Sequence, residues 1–234
     1  MPRPVISFLE LTLSGPRGAV AVDERMLGDG PLTFTEFAMK EPAPLATIQG
    51  LVLEMLRTRD DAVLFGAQAV NAYCDEPRMT QDVDILSPNA KALAEDIRSL
   101  IASRLHLAIR VRELRLGRDY RVFQVRKPAN RHLVDVRAVE TLPPAQRIEG
   151  VLVVTAPELI ARKLLARQRR RGQPKAGTDW RDLAALLLKF PDLKTESGPV
   201  RDRLRALGAD ADDLAAWRAM VQEPLKPEPA DDEE

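Results

Sequence analysis

Asp82-Val83-Asp84, followed by Ile85-Leu86, sets two carboxylates at a spacing that suits divalent-cation chemistry. Successive side chains on a strand point to opposite faces, so Asp82 and Asp84 share one side while Val83 and Ile85 turn to the core. The acids then stand one pleat apart, close enough to share a cation, and like charges that near need positive charge between them. Upstream, Ala62-Val63-Leu64-Phe65 reads as a buried strand running into Gly66-Ala67. Small residues there let a phosphate approach the backbone and the start of the following helix. Taken alone, an Asp-x-Asp can be a solvated sheet face and a Gly-Ala pair a tight turn. Strand, small pair, amphipathic helix, Arg78-x-Thr80 and Asp-x-Asp, in that order, favour a joint phosphate and metal site.

In that order the stretch from Asp61 to Leu86 resembles the nucleotidyltransferase superfamily that includes DNA polymerase β, and within it the AbiEii/MenT-like branch of toxin-type transferases. The resemblance covers residues 61 to about 190. It implies an α+β fold, a polymerase β-like mixed sheet with flanking helices. It places Gly66 and Ala67 at the nucleotide and Asp82 and Asp84 at the metal. A third carboxylate is assigned best to Asp135 in HLVDVRAV, with Asp119 as the substitute; convergence requires that strand to neighbour the Asp82–Asp84 strand. Lys163 matches a family lysine and joins Asp82, Asp84 and Asp135 as a catalytic residue, while Asp182 matches a family aspartate that could orient Lys163 or an arginine. Arg78 is expected on the phosphates and Thr80 at the turn before the strand. The implied chemistry is transfer of a nucleoside monophosphate from an NTP to an acceptor hydroxyl with Mg²⁺ or Mn²⁺, the acceptor being a tRNA 3′ end or other RNA and the protein a toxin countered by an antitoxin. Transfer to a small molecule or a protein stays open. So does a nucleotide-binding regulatory protein on a degenerate fold, because Ala67 stands where Gly or Ser is usual and the spacer to Asp82 is long.

Lys163 can be read without the resemblance. In PELIARKLLARQRRR it falls four residues after Leu159 and three after Ile160, on the side those residues bury. A lysine there is costly to bury unless it faces an anion, the alternative being a stem that snorkels along the helix edge. From Arg162 to Lys175 there are seven basic residues and no acid. That run is either a solvated helix end or a polyanion surface that would bind phosphates rather than bases, with Arg167, Arg169, Arg170 and Arg171 on the acceptor.

The elements that must position these groups follow from periodicity. A β-rich extension is expected over residues 1–43, a nucleotidyltransferase core over 44–154, a helical part over 155–222 and a disordered acidic tail over 223–234. Ala46 to Arg57 reads as an amphipathic helix. A second helix should follow Ser87-Pro88-Asn89, with Ser87 as its cap, and run to about Leu105. LAIRVREL, DYRVFQV and HLVDVRAV alternate with period two and predict an antiparallel addition to the sheet. Val151 to Val154 is a short strand, a helix begins at Pro157, Thr178 caps TDWRDLAALLLKF, and DADDLAAWRAM closes the helical part.

At 234 residues the chain can bury a substantial core. Its formal charge is zero, but six acids against Lys226 in the last twelve residues give −5 there and leave +5 on residues 1–222. That excess helps a polyanion approach without demanding one. A single cysteine, Cys74, and two histidines, His106 and His132, exclude a disulfide framework and zinc-ligand spacing. Cys74 reads as a core residue, His132 as a strand start, and the setting as a reducing cytoplasm. No segment approaches the roughly 20 apolar residues of a membrane span.

Overall fold

The computed structural model describes residues 44–75, 77–115 and 117–227. The extension expected over residues 1–43, and residues 228–234 of the tail, lie outside them. Among the described residues a seven-stranded mixed sheet is formed by β1 (Val63–Phe65), β2 (Val83–Ser87), β3 (Ile109–Arg115), β4 (Asp119–Gln124), β5 (Arg131–Ala138), β6 (Ala145–Ile148) and β7 (Val151–Val154), in the order β3-β4-β5-β2-β1-β7-β6. Seven α-helices flank it: α1 (Leu45–Leu56), α2 (Gly66–Asn71), α3 (Ala90–Leu105), α4 (Ala156–Arg169), α5 (Lys175–Lys189), α6 (Pro199–Ala206) and α7 (Ala211–Gln222). This is the α+β mixed sheet with flanking helices that the sequence implies.

The three period-two segments form the antiparallel meander β3-β4-β5, and β5 lies parallel beside β2. β1 pairs antiparallel with β2 and parallel with β7. One face of this sheet is apolar because alternation makes it so. Val83 and Ile85, Val134 and Val136, and Val122 are fully buried. They face α3, whose Leu93, Ala94, Ile97 and Ile101 are equally buried. Each large aliphatic side chain so placed contributes about 1.5–3 kcal/mol. The acids of β2 and β5 are thereby turned to the other face.

Two local expectations are corrected, and two elements are new. Ser87 ends β2 instead of capping a helix; its Oγ accepts the Asn89 N–H at 3.0 Å and α3 starts at Ala90. Thr178 lies inside α5, which begins three residues earlier at Lys175 behind Pro174, with the Gly177 N–H already bonded to the Pro174 carbonyl. β6 and α6 were not foreseen from the pattern. β6 is a polar edge strand joined to β7 by Glu149-Gly150, both at positive φ (49° and 85°), the two-residue turn that matches strand twist. Glutamate at its first position, in place of Asn or Asp, hides the hairpin from a sequence reading.

The helical part gathers on α4, which packs against α5, α6 and α7. Tyr73, just after α2, ties it to the sheet. Its hydroxyl donates to the Val154 carbonyl at 2.7 Å and accepts from Gln146 Nε2 at 3.2 Å, while its ring meets Phe190 edge-on at 5.5 Å. Cys74, next in sequence, packs against the core, and burial pushes its thiol up. Glu158 on α4 is fully buried and accepts from Arg162 Nε at 2.7 Å and Arg203 Nε at 2.5 Å, which fastens α6 to α4. Both arginines reach solvent, so removing Glu158 strands no buried cation. Glu158→Ala should therefore cost about 2–3 kcal/mol, less than the loss of a wholly buried pair. Urea unfolding measures this, and a loss below about 0.5 kcal/mol would show that α6 is held by its apolar contacts alone.

Candidate active site

Register brings the acids together. Asp84 on β2 lies directly opposite Asp135 on β5, and Phe65 on β1 lies opposite Asp84 on its other side. Asp82, two residues before Asp84, shares its face at the entry to β2. The convergence that the sequence left conditional on strand pairing is therefore present in the fold. Asp119 is not part of it: it sits opposite Arg137 and pairs with Arg115 at 3.3 Å.

A fourth group joins them. β4 and β5 slip register between Val122/Val134 and Phe123/His132, which leaves Leu133 as an extra residue on β5. Such a bulge re-aims the neighbouring side chain. In an unbroken strand His132 and Asp135 would face opposite sides; here His132 Nε2 is 2.8 Å from Asp135 Oδ1 and Nδ1 is 3.5 Å from Asp82 Oδ2. One donor atom each from Asp82, His132 and Asp135 fall within 4.8 Å of one another. Reading His132 as a strand start is right for the backbone and misses the ring. The signal for it is the adjacent pair Leu133-Val134, both buried, which breaks the period of two.

The electrostatics explain what such a site lacks. Burial first, then the Asp82 charge, pushes the Asp84 carboxyl up to about 6, with Asp135 adding to the effect and Arg137 and Lys163 opposing it. Burial also acts to raise Asp135, but hydrogen bonds from His132 and from Arg121 outweigh it and hold that carboxyl well below the usual range. Arg121 binds Asp135 through two bonds at 2.9 and 3.0 Å. Arg137 reaches Asp84 at 3.5 Å while its guanidinium lies 4.9 Å from the centre of the Phe65 ring. Three carboxylates and an imidazole on one face, one acid still carrying an uncompensated load, form a donor set that fits a hard or borderline divalent cation.

Gly66 opens α2 with φ of 75°, in the left-handed region. A Cβ there would fall 2.2 Å from Asp84 Oδ2, so the glycine is what lets the Asp84 carboxylate lie against the β1–α2 turn. Ala67 follows within the same helix. The segment carrying Arg78 and Thr80 is pinned by polar side chains. Asn71 donates to the Arg78 carbonyl at 2.8 Å and accepts its N–H at 3.1 Å, Gln49 donates to the Thr80 carbonyl at 2.9 Å, and Thr80 Oγ1 donates to the Asp82 carbonyl at 3.0 Å. Thr80 thus holds the turn before β2.

Asp182, nearly inaccessible, is the hub on the helical side. It accepts from Lys163 Nζ at 2.6 Å and from Arg78 Nε and Nη2 at 2.6 and 2.9 Å. Burial acts to raise it, but Arg78 and Lys163 outweigh that and hold it low. Lys163 is also 3.7 Å from Asp179, whose other oxygen takes Arg170 at 2.6 Å. So Arg170 of the basic run is occupied with Asp179, and Arg162 with Glu158. Arg167 and Arg171 instead line a cleft of about 560 Å³ with Trp180, while Arg169 is exposed. Trp180 thus adds an aromatic ring beside two of these arginines, nine residues beyond the last of them in the chain.

A mixed sheet with acids on adjacent strands and a glycine turn beneath them is the architecture of a nucleotidyltransferase. The family described as nucleotidyl transferase AbiEii toxin of type IV toxin–antitoxin systems matches residues 55–234, and the chain belongs to it. No curated protein matches it in sequence. Among solved structures it is similar to the Megavirus polyadenylate synthase, with TM-score 0.51 and 12% identity over 79% of this chain and 41% of that one. This chain therefore spans about two fifths of the synthase, and at that identity the likeness is one of fold. JHP933 from Helicobacter pylori (TM-score 0.46, 16% identity, 82% and 92% covered) and ANT(2″)-Ia in complex with adenylyl-2″-tobramycin (0.45, 13%, 74% and 96%) also match.

Two outcomes follow from the geometry. Because the folded value of Asp84, about 6, lies above its unfolded value near 4, its contribution to stability is full below about pH 4 and is lost as pH rises through 6. Asp84→Asn should then stabilise the metal-free protein by roughly 2 kcal/mol at pH 7 and by little at pH 4. Denaturant titrations with chelator at both pH values check this, and equal effects at both would refute it. Gly66→Ala should cost about 2 kcal/mol or more, from positive φ and the clash with Asp84. Since Asp84→Ala removes the clashing oxygen, the double variant should be more stable than the sum of the singles predicts. Strict additivity would mean that backbone strain and the contact with the Asp84 Cβ, which alanine retains, account for the whole cost at Gly66.

Proposed function

We propose that this nucleotidyltransferase moves a nucleoside monophosphate from an NTP to an acceptor hydroxyl, with Asp82, Asp84 and Asp135 as the catalytic carboxylates. The observation that carries this is the pairing of Asp84 with Asp135 on neighbouring parallel strands, with Asp82 on the same face. The phosphates lie along Gly66-Ala67, and Lys163 and Arg78 offset their charge; Asp182 sets the direction of both cations, as the shared hydrogen bonds support. The acceptor oxygen bonds to the α-phosphorus as the bond to pyrophosphate breaks and the hydroxyl proton passes to bulk water, and positioning with charge compensation supplies most of the rate. Asp82, Asp84 and Asp135 would hold Mg²⁺ or Mn²⁺, with His132 as a further donor. Such an ion neutralises the triphosphate and acidifies the acceptor hydroxyl when bound. Asp135, kept low by His132 and Arg121, suits holding positive charge better than accepting a proton.

Membership of a toxin family supports a toxin role with an antitoxin as partner. The acceptor would be an RNA such as a tRNA 3′ end, a polyanion that suits the basic end of α4. Arg167, Arg169 and Arg171 have no carboxylate partner among the described residues and would hold the body of such an acceptor; Arg170 serves Asp179 instead. Among those residues no helix is long and apolar enough to cross a membrane. A second reading, nucleotide binding without transfer, is favoured by the bidentate seat of Arg121 on Asp135.

Incubation with α-labelled NTPs and a mixture of RNA, cell metabolites and protein should place the label on one class and release pyrophosphate. Asp82→Asn and Asp135→Asn should each lower transfer by at least about a hundredfold with the fold intact. Near wild-type turnover in either would remove that residue from the site. Tight NTP binding with no pyrophosphate would establish the second reading.

A further inference from the structure

The register that aligns the acids continues beyond them. Arg112 on β3, Arg121 on β4, Asp135 on β5, Asp84 on β2 and Phe65 on β1 occupy one row across five strands. Next to it runs a shorter row of Arg110, Phe123 and His132. Both rows lie on the face opposite α3, because the alternate positions, Val122 between the rows and Ile109 and Tyr120 on either side of them, are buried. Arg112 and Arg121 are directly opposed like charges, an arrangement that weakens an isolated strand pair. Asp135 neutralises Arg121, yet Arg110 and Arg112 are exposed and have no carboxylate in ion-pair reach among the described residues. The Arg112 guanidinium lies 5.4 Å from the centre of the half-buried Phe123 ring. Two uncompensated cations and an aromatic ring, one to two strands or about 5–10 Å from Asp135, are a surface built for an anion with a flat group attached.

The side on which this surface lies identifies the anion. In an in-line displacement the attacking and leaving oxygens stand on opposite sides of phosphorus. Gly66, Lys163 and Arg78 flank the acids on the β1 and α4 side, where pyrophosphate would leave, so the attacking hydroxyl comes from the β4 and β3 side. We propose that the open face of the meander seats the end of the acceptor, a single-stranded nucleic acid whose phosphates meet Arg110 and Arg112 and whose base stacks on Phe123. This rests on the transferase reading above and moves the reactive end of the acceptor away from the basic end of α4, leaving that region to more distant parts of the chain.

The test is fluorescence anisotropy of a labelled single-stranded RNA oligonucleotide at several salt concentrations, with NTP binding measured in parallel. Arg110→Glu/Arg112→Glu should weaken the RNA at least about tenfold and lower the slope of log affinity against log salt by about 1.4, two phosphate contacts at about 0.7 each. NTP affinity should stay within about twofold. Phe123→Leu should weaken RNA with the slope unchanged, since a stacked base releases no counterions. Arg169→Glu/Arg171→Glu is the comparison at the end of α4. If the charge reversals disturb folding, Arg110→Gln/Arg112→Gln should give the same slope change in a protein with wild-type thermal unfolding. Unchanged affinity and slope in both meander variants, or an effect confined to the α4 variant, would overturn the proposal. Wild-type protein that transfers NMP to a small molecule or a protein and does not bind RNA would also overturn it, while leaving the transferase reading standing. Absence of transfer to any acceptor would instead be the failure of that reading.

Discussion

Negative charge held close on one sheet face is the constraint on which the rest of this structure depends. Asp84 and Asp135 are direct neighbours on parallel strands, Asp82 is one pleat away, and none of them is freely solvated. The apolar residues between them, Val83, Ile85, Val134 and Val136, are bound to α3 and admit no relaxation by rotating a strand. Repulsion therefore has to be met by cations brought from elsewhere in the chain. Arg121 meets it at Asp135, beside the hydrogen bond to His132, and Arg137 meets it in part at Asp84, where burial and then the Asp82 charge still raise the carboxyl.

The same logic repeats on the helical side with the signs exchanged. Lys163 and Arg78 converge on Asp182, and Arg170 on Asp179, so these cations are held in place by buried acids. A buried acid that fixes two cations restricts their rotamers and leaves the cluster of Arg78, Lys163 and Asp182 with one net positive charge. Tyr73 and the pinned Arg78–Thr80 segment couple this cluster to the sheet, so the two halves of the site have a fixed relation. An entering triphosphate would meet a prepared positive flank beside a negative row.

Much of this was legible in the sequence wherever a local pattern dictates the answer. Alternation in Asp82-Val83-Asp84-Ile85 assigns faces without any knowledge of neighbours, and the three period-two segments suffice for the meander. The pairing of β2 with β5 was not legible, because parallel contact between distant segments leaves no local mark; only the family resemblance pointed to Asp135. His132 was missed because a bulge reverses the facing that its spacing from Asp135 implies. The partners of Arg121, Arg162 and Arg170 are likewise tertiary facts, and a run of arginines looks the same whether each faces water or a buried acid. Arg110 and Arg112 are ordinary outward positions of a strand in the sequence; only the register puts Arg112 in the row of Asp135 and Asp84 and Arg110 in the row beside it.

Transfer as proposed requires cation and triphosphate to meet at the carboxylate row. Anomalous diffraction from crystals grown with Mn²⁺ and a non-hydrolysable nucleoside triphosphate tests that most directly. The predicted result is a manganese peak within coordination distance, about 2–2.5 Å, of carboxylate oxygens from Asp82 and from Asp84 or Asp135, with the phosphates between Gly66 and Lys163. A triphosphate bound away from this face, or manganese absent from the row while Arg121 keeps its seat on Asp135, would contradict it.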